Sequence, residues 1–164
     1  MTCIGHDIID LKLAKKESNI FRRGYLDKIL TEHEQSLMQK TADPFLCYWQ
    51  MWSMKEAVYK ILRQKGESRG YYPKKIEVKK LDLINGQVCY GKYFFYTQTT
   101  LNTEFIETIA LEEYNQFKHV IRLKNNILLN KKEEMPFLTN NERPIAVSKS
   151  HHGKFESILT IVIN

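Results

Sequence analysis

The chain has 164 residues, of which 43% are hydrophobic and 27% are charged, values typical of a soluble globular protein with a real core. No apolar run approaches the roughly 20 residues that a membrane-spanning helix needs, and the N-terminus lacks the pattern of a secretory signal, so we expect one cytoplasmic domain, residues 1–164. The odd number and wide spacing of Cys3, Cys47 and Cys89 argue against a disulfide framework or a zinc site.

The formal net charge of +6 is concentrated in one stretch of the chain. Between Lys60 and Lys80 there are eight basic residues and two acidic ones. Such a patch attracts phosphates, nucleic acid, an acidic protein or an anionic membrane, and charge alone does not choose among them. A solvated face without a partner is a further reading.

The N-terminal residues predict a short strand from about Thr2 to Ile9, because they are apolar and β-branched. Under the period-2 alternation of a strand, Asp7 shares a face with Gly5 and Ile9, and Asp10 falls beyond the strand end. A carboxylate inside an apolar strand is unfavourable unless something binds it. Asp7 is therefore a candidate ligand.

Three helices are predicted next. Apolar spacing indicates the first, a capping box from Thr31 to Glu34 begins the second, and Asp43 followed by Pro44 supplies an N-cap and a first-turn proline for the third. The predicted helices span residues 18–30, 31–40 and 43–64.

The third and longest helix carries a carboxylate among aromatic residues. One face, read at steps of three and four, consists of Phe45, Trp49, Trp52, Glu56, Tyr59 and Lys60. The modest interpretation is an exposed Glu–Lys pair worth about 0.3 to 0.5 kcal/mol. The alternative is a cleft-facing carboxylate that, together with Asp7, offers the oxygen ligands that Mg²⁺ prefers.

The second half of the chain predicts an antiparallel meander. The dipeptide Asn85-Gly86 is a strong two-residue hairpin signal, and the polar residues from Lys124 to Arg143 indicate a loop or a weak helix. The predicted strands cover residues 76–83, 87–99, 105–111 and 119–123.

The C-terminal segment predicts a strand, a polar turn and a final strand from Ile158 to Ile163. The turn contains Ser148, Ser150, His151 and His152, whose donors suit an anion such as a phosphate. A plain polar hairpin turn with surface histidines is the competing interpretation.

Four motifs, in the same order along the chain, resemble the 4′-phosphopantetheinyl transferase superfamily and in particular its small holo-[acyl-carrier-protein] synthases. They are G-H-D-I-I-D-L from Gly5, the helix start from Tyr25 to Glu34, W-S-M-K-E-A-V-Y-K from Trp52 and V-S-K-S-H from Val147. Residues 74–143 match nothing specific in that family.

The resemblance implies an α+β fold in which an antiparallel sheet packs against a long central helix. It also implies a transferase that moves the 4′-phosphopantetheine group from coenzyme A to a serine of an apo acyl carrier protein in fatty acid or polyketide synthesis. Asp7 and Glu56 would bind Mg²⁺, Lys60 would contact phosphate, and Glu56 and Lys60 would carry the catalysis. Asp10 matches the family's acidic third site less closely.

The same resemblance implies the remaining contacts and partners. Lys55, Ser148, Ser150 and His151 would help to hold coenzyme A, and the basic stretches would suit an acidic acyl carrier protein. In the small synthases the site lies between the subunits of a trimer, so His151 of one chain would complete the site of another.

Two other functions remain open at this point. A catalytically weak relative would bind coenzyme A or a carrier protein without turnover. A small basic RNA-binding domain would use Tyr71 and Tyr72 beside Lys74 and Lys75 for stacking, although it leaves Asp7 and Glu56 unexplained; we therefore expect neither nucleic acid nor a membrane as a partner.

Overall fold

A computed structural model describes residues 2–132, 134–140 and 143–162. The first part of the chain is one strand followed by four helices: β1 Gly5–Asp10, α1 Leu11–Glu17, α2 Tyr25–Ile29, α3 Glu32–Gln39 and α4 Pro44–Gln64. Four strands follow: β2 Ile76–Leu81, β3 Asn85–Tyr90, β4 Tyr93–Leu101 and β5 Phe105–Leu111. After a 3₁₀ helix, Tyr114–His119, come β6 Val120–Arg122, β7 Asn130–Lys132, β8 Met135–Asn140, β9 Arg143–His152 and β10 Phe155–Ile161.

The strands form two antiparallel sheets. The first has the order β1-β5-β4-β3-β2, and the second has the order β6-β10-β9-β8-β7. Helix α4 packs on the first sheet, and the main core lies between them, with fully buried Tyr48, Met51, Met54, Val88 and Phe95. A smaller apolar cluster, which includes Ile4, Leu111 and Leu159, joins the two sheets. The expected α+β fold with an antiparallel sheet against a long central helix is confirmed.

The local start signals of the helices are confirmed. The Asp43 carboxylate accepts a hydrogen bond from the amide of Leu46 at 3.0 Å, and Pro44 is the first residue of α4. At α3, both halves of the predicted capping box between Thr31 and Glu34 are present. These signals are read from neighbouring residues alone, which is why the sequence is sufficient to find them.

Several predicted elements are wrong. The expected single strand over residues 87–99 is two strands, β3 and β4, which pair as a hairpin. Of the expected helix over residues 18–30 only α2 forms, and the helix α1 before it was not predicted. Asn85 and Gly86 lie inside β3 rather than in a turn. Position 86 requires glycine for a packing reason, because a Cβ there would overlap Met54 and Thr97. The expected loop over residues 124–143 contains β7 and β8.

Close contact between β1 and α4 sets the position of the candidate carboxylates. A Cβ at Gly5 would overlap the carbonyl oxygen of Ala57, so only glycine lets the strand lie this close to the helix. Asp7 follows Gly5 by two residues and Glu56 precedes Ala57. The approach at Gly5 therefore brings the two carboxylates towards each other.

The free edge of β1 is joined to β9 by side chains instead of a backbone ladder. The amides of His6 and Ile8 donate to Ser148 Oγ at 2.9 Å and to Ser150 Oγ at 3.2 Å, and the amide of Asp10 donates to His152 Nδ1 at 2.9 Å. Alternate residues of β9 thus satisfy alternate amides of β1, as the period of two residues in both strands requires. These bonds connect the first sheet to the second.

A buried ion pair links three elements on the other side of α4. Lys55 is 2% exposed and Glu34 is 0% exposed, and Lys55 Nζ lies 2.6 Å from Glu34 Oε2. The Glu34 carboxylate also accepts from the amides of Thr31 at 2.9 Å and Val78 at 2.7 Å, so it connects α3, α4 and β2. Burial lowers the pKa of Lys55, while the charge of Glu34 opposes that shift.

We predict that Glu34→Ala lowers the free energy of unfolding by about 3 to 5 kcal/mol, because it leaves the Lys55 ammonium buried without its counter-ion. Urea unfolding at neutral pH is the measurement. Glu32→Ala, an exposed change on the same helix, is the control and is expected to alter stability by less than about 1 kcal/mol. Equal effects of the two substitutions would contradict the assigned role of Glu34.

Candidate active site

A cavity of about 610 Å³ opens beside β1 and α4. Its walls are β1, α4, the loop between α4 and β2, and the C-terminal end of β9. Of the predicted site residues, four line this cavity: Asp7, Lys55, Glu56 and His151. Lys60 and Ser150 are joined to it through Asp7, whereas Ser148 lies deeper in the sheet contact.

Asp7 is the centre of a small polar network. Its Oδ1 accepts from Ser150 Oγ at 2.9 Å and lies 3.3 Å from Lys60 Nζ. Lys60 Nζ also donates to the carbonyl of His6 at 2.7 Å, and its side chain is 21% exposed. The Asp7 carboxylate is thereby held in one orientation at the cavity wall, with a positive charge beside it.

Glu56 has the most unusual environment among the acidic residues of the cavity. Burial raises its pKa to about 7, the negative charge of Asp7 adds to that rise, and the charge of Lys60 opposes it. Within the described residues, its carboxylate receives no hydrogen bond. A carboxylate that is costly to ionise and has no partner is poised to bind a cation or a proton.

Asp7 and Glu56 are the two carboxylates that line this cavity, and carboxylate oxygens are the donor type that Mg²⁺ prefers. Mg²⁺ commonly takes one or two carboxylates and completes its octahedral shell with water and substrate phosphate. Across the described residues, no group of three or more His, Cys, Asp or Glu side chains is arranged to hold a metal. The donor set therefore favours a cation shared with a phosphate-bearing ligand over a metal enclosed by protein alone.

Lys55 lines the cavity but uses its ammonium elsewhere. It donates to Glu34 Oε2, to the carbonyl of Ile29 at 3.1 Å and to the carbonyl of Pro73 at 2.8 Å. An ammonium group has three donors, so none remains for a ligand. The predicted contact between Lys55 and a cofactor gains no support from this geometry, in which Lys55 instead anchors the loop after α4.

The predicted polar turn lies within a strand, since Ser148, Ser150, His151 and His152 all belong to β9 and the turn follows at Gly153. Both serine hydroxyls accept hydrogen bonds from β1. His151 is exposed at the cavity, and it belongs to the same chain as Asp7 and Glu56. A partner subunit is thus not needed to bring this histidine to the cavity, and the expected trimer stays a prediction.

Asp10 is occupied in capping. Its Oδ1 accepts from the amide of Leu13 at 3.1 Å, as the N-cap of α1, and its Oδ2 accepts from the amide of Lys154 at 3.3 Å. The bond to the Leu13 amide is the main reason that the pKa of Asp10 is lowered. These bonds account for an acidic residue at this position without a metal.

Several residues of the cavity were not assigned to it in advance. The loop after α4 contributes Arg69, together with Tyr71 and Tyr72, which the sequence offered only for RNA stacking; the second sheet contributes His152, named as a possible anion donor but not as a coenzyme A contact. The basic stretch from Lys60 to Lys80 was a signal for a charged surface, but only tertiary structure separates Arg69 at the cavity from the other basic residues. Tyr71 is 73% exposed, whereas Tyr72 packs against Tyr59 with ring centroids 5.8 Å apart.

Comparison with known proteins gives the class. A family model described as the 4′-phosphopantetheinyl transferase superfamily matches residues 3–119. The chain belongs to this superfamily, and the expectation of an enzyme of the 4′-phosphopantetheinyl transferase class is confirmed. A search of curated proteins found no match.

Solved structures with the same fold include three holo-[acyl-carrier-protein] synthases. The Neisseria meningitidis enzyme is 18% identical, with a TM-score of 0.55 over 68% of this chain and 98% of that one. The Bacillus anthracis enzyme, in complex with CoA (3′,5′-ADP), is 21% identical, with a TM-score of 0.53 over 67% and 94%. The Helicobacter pylori enzyme, in complex with coenzyme A, is 18% identical, with a TM-score of 0.51 over 66% and 97%.

Among the described residues, no helix has both the length and the apolar character required to cross a bilayer. The longest helix, α4, instead buries most of its surface against the first sheet.

The environment of Glu56 predicts a pH-dependent stability. In the metal-free protein its pKa is about 7, above the ordinary value of 4.5, so the folded state binds more protons than the unfolded state between these values. Stability from this group is therefore lost as the pH rises from 4.5 through 7, by about 3 kcal/mol in total.

We predict that Glu56→Gln removes this decline and is more stable than the wild type at pH 8 in the presence of a chelator. Urea unfolding from pH 5 to pH 8 is the measurement. Glu113→Gln, which neutralises an exposed carboxylate, is the control and should follow the wild-type profile. Parallel profiles for wild type and Glu56→Gln would contradict the raised pKa.

Proposed function

We propose that this protein is a holo-[acyl-carrier-protein] synthase. It would move 4′-phosphopantetheine from coenzyme A to a serine of an apo acyl carrier protein, with Mg²⁺, and release 3′,5′-adenosine bisphosphate. The observation that carries the proposal is the pair Asp7 and Glu56 at the wall of one cavity, where Glu56 is half-buried and its burial beside Asp7 raises its pKa to about 7. No purely structural role of Glu56 explains the cost of that position.

The donor is proposed to be coenzyme A. Membership of the superfamily supports this choice, and two solved structures of the same fold are described as complexes with coenzyme A or its 3′,5′-ADP part. The cavity has carboxylates for a phosphate-bound cation, and its wall includes the aromatic rings of Trp52 and Tyr71, which offer apolar contact to the rest of a nucleotide.

Asp7 and Glu56 would hold the magnesium ion. When bound there, Mg²⁺ supplies neutralisation of the pyrophosphate charge. Lys60 donates to His6 and contacts Asp7, and its third N–H is available for a phosphoryl oxygen. A positive charge fixed next to that oxygen stabilises the negative charge that develops during the transfer.

The transfer step forms one bond and breaks one. The serine oxygen of the carrier protein attacks the β-phosphorus, the bond from that phosphorus to the bridging oxygen breaks, and 3′,5′-adenosine bisphosphate leaves with the electron pair. Glu56 would accept the serine proton as general base, since its carboxylate lines the cavity in which the acceptor serine must lie. A carboxylate has two oxygen atoms, so cation binding and proton transfer can use different ones.

Residues of β9 would support this arrangement in two ways. Ser150 donates to Asp7 and accepts from the amide of Ile8, so it fixes the orientation of the carboxylate. Ser148 accepts from the amide of His6 and so fixes the backbone of β1; it is not among the residues that line the cavity. His151, exposed at the cavity, is the proposed direct contact to coenzyme A.

The acceptor is proposed to be an acidic acyl carrier protein of fatty acid or polyketide synthesis. Exposed basic residues on α1, α2 and the segment between them, next to the cavity residues Ser18 and Tyr25 in the sequence, support this partner. They are Lys12, Lys15, Lys16, Arg22, Arg23 and Lys28. Complementary charge accelerates encounter and selects partners.

We predict that a purified apo acyl carrier protein gains about 340 Da, the mass of one phosphopantetheine placed on serine by phosphoryl transfer, after incubation with this protein, coenzyme A and Mg²⁺. Intact-protein mass spectrometry measures the gain. Glu56→Gln is expected to lower the rate at least about 100-fold, as loss of a general base does. Chelation of Mg²⁺ should have a similar effect on the wild type.

Glu113→Gln is the matched control, because it removes an exposed carboxylate and should leave the rate unchanged. If no carrier protein gained mass while coenzyme A still bound, the proposed transferase activity would be contradicted. A protein that binds coenzyme A without turnover would then be the better account. A Glu56→Gln rate equal to that of the wild type would remove Glu56 from the mechanism.

A further inference from the structure

Arg69 is a cation of the cavity that no motif accounts for. It lies in the loop between α4 and β2 and lines the same cavity as Asp7 and Glu56. Its guanidinium donates to Glu134 at 2.9 Å through Nη1. Since a guanidinium has five N–H donors, most of its capacity remains for another acceptor.

Neither lysine of the K-E-A-V-Y-K segment is placed to serve a second anionic group. Lys55 uses all three donors on Glu34 and two carbonyls, and Lys60 lies beside Asp7, where its remaining N–H is assigned to the pyrophosphate. Coenzyme A carries two separate anionic groups, a pyrophosphate and a phosphate on the 3′-hydroxyl of its ribose. With the pyrophosphate at Asp7 and Glu56, the second group requires another positive charge.

The loop that carries Arg69 is braced. Lys55 holds the carbonyl of Pro73, Tyr59 accepts from the amide of Gly70 at 3.4 Å, and Tyr72 packs between Tyr59 and Tyr90 with centroid distances of 5.8 and 5.9 Å. Arg69 itself is exposed, but the backbone on either side of it is fixed. A ligand contact through Arg69 therefore costs little ordering of the chain.

The partner of Arg69 is easily displaced. Both side chains of the Arg69–Glu134 pair are 75% exposed, and exposed pairs contribute about 0 to 1 kcal/mol. A phosphate dianion accepts two parallel bonds from a guanidinium and competes well with one carboxylate oxygen. Exchange of Glu134 for a phosphate is thus favourable.

Glu134 has a backbone conformation that would suit glycine better than glutamate. It lies between β7 and β8, beyond the residues that match the family model, and has φ 70°, in the left-handed region that residues with a Cβ rarely adopt. Glycine would adopt this conformation without strain, so any residue with a Cβ at this position has a conformational cost. Its side chain reaches across to the cavity loop.

We propose that Arg69 binds the 3′-phosphate of coenzyme A, and that Glu134 holds the guanidinium at the rim of the cavity until this phosphate displaces it. The proposal rests on the proposed function, which supplies coenzyme A as the ligand. It gives the second sheet a part in donor recognition, through the turn between β7 and β8. Arg69 is then the residue that distinguishes coenzyme A from 3′-dephospho-coenzyme A.

The test is isothermal titration calorimetry of wild type and variants with coenzyme A and with 3′-dephospho-coenzyme A, in Mg²⁺ and without carrier protein. The wild type is expected to bind coenzyme A about 10- to 100-fold more tightly than the dephospho form, the range of one charge-assisted contact. Arg69→Ala should lower the affinity for coenzyme A by that factor and change the affinity for 3′-dephospho-coenzyme A less than twofold. Glu134→Gln should bind coenzyme A as tightly as the wild type or up to about threefold more tightly.

Lys131→Ala is the control, because it removes one exposed positive charge from the neighbouring hairpin and should leave both affinities unchanged. The proposal would be overturned if Arg69→Ala lowered the affinity for both donors equally, or left the affinity for coenzyme A unchanged. It would also be overturned if Glu134→Gln lowered the affinity for coenzyme A as much as Arg69→Ala does. If the wild type binds neither donor, the proposed function itself fails. That result differs from wild-type binding of coenzyme A that Arg69→Ala does not change, which would contradict the role of Arg69 alone.

Discussion

The edge of β1 that has no neighbouring strand in its own sheet is the constraint on which the site depends. A strand edge with free amides must be paired or covered, and here three side chains of β9 satisfy the amides of His6, Ile8 and Asp10. Side-chain bonds keep the two strands farther apart than a backbone ladder would. Ser150 can therefore accept from β1 and also donate to Asp7, so one hydroxyl both joins the sheets and orients the carboxylate.

The second constraint is the contact of β1 with α4 at Gly5. It forces the strand and the helix together at the level of Ala57 and places Glu56 on the same cavity wall as Asp7, whose negative charge adds to the rise in the pKa of Glu56. Lys60, one turn further along α4, contacts Asp7 and opposes that rise. The spacing of four residues thus places the positive charge of Lys60 near both carboxylates, while its ion pair is with Asp7.

How much of this could be read from the sequence depends on the range of the interactions involved. The ends of α3 and α4 were predictable because caps act over three or four residues, and Asp7 and Glu56 were noticeable because a carboxylate among hydrophobes is unusual. Gly86 was misread because its requirement for glycine comes from Met54, 32 positions away in the chain. Strands β7 and β8 were missed because neither sequence, N-K-K or M-P-F-L-T-N, alternates between apolar and polar residues.

The same limit explains why the two lysines of the K-E-A-V-Y-K segment could not be told apart in advance. Both precede or follow Glu56 on one helix, yet Lys55 points towards α3 and becomes a buried anchor, whereas Lys60 points towards β1 and stays partly exposed beside Asp7. Only the elements packed on each side of α4 decide this difference. A motif therefore identifies a helix with unusual charges, but the neighbours of that helix determine which charge is buried in the fold and which one stays partly exposed beside Asp7.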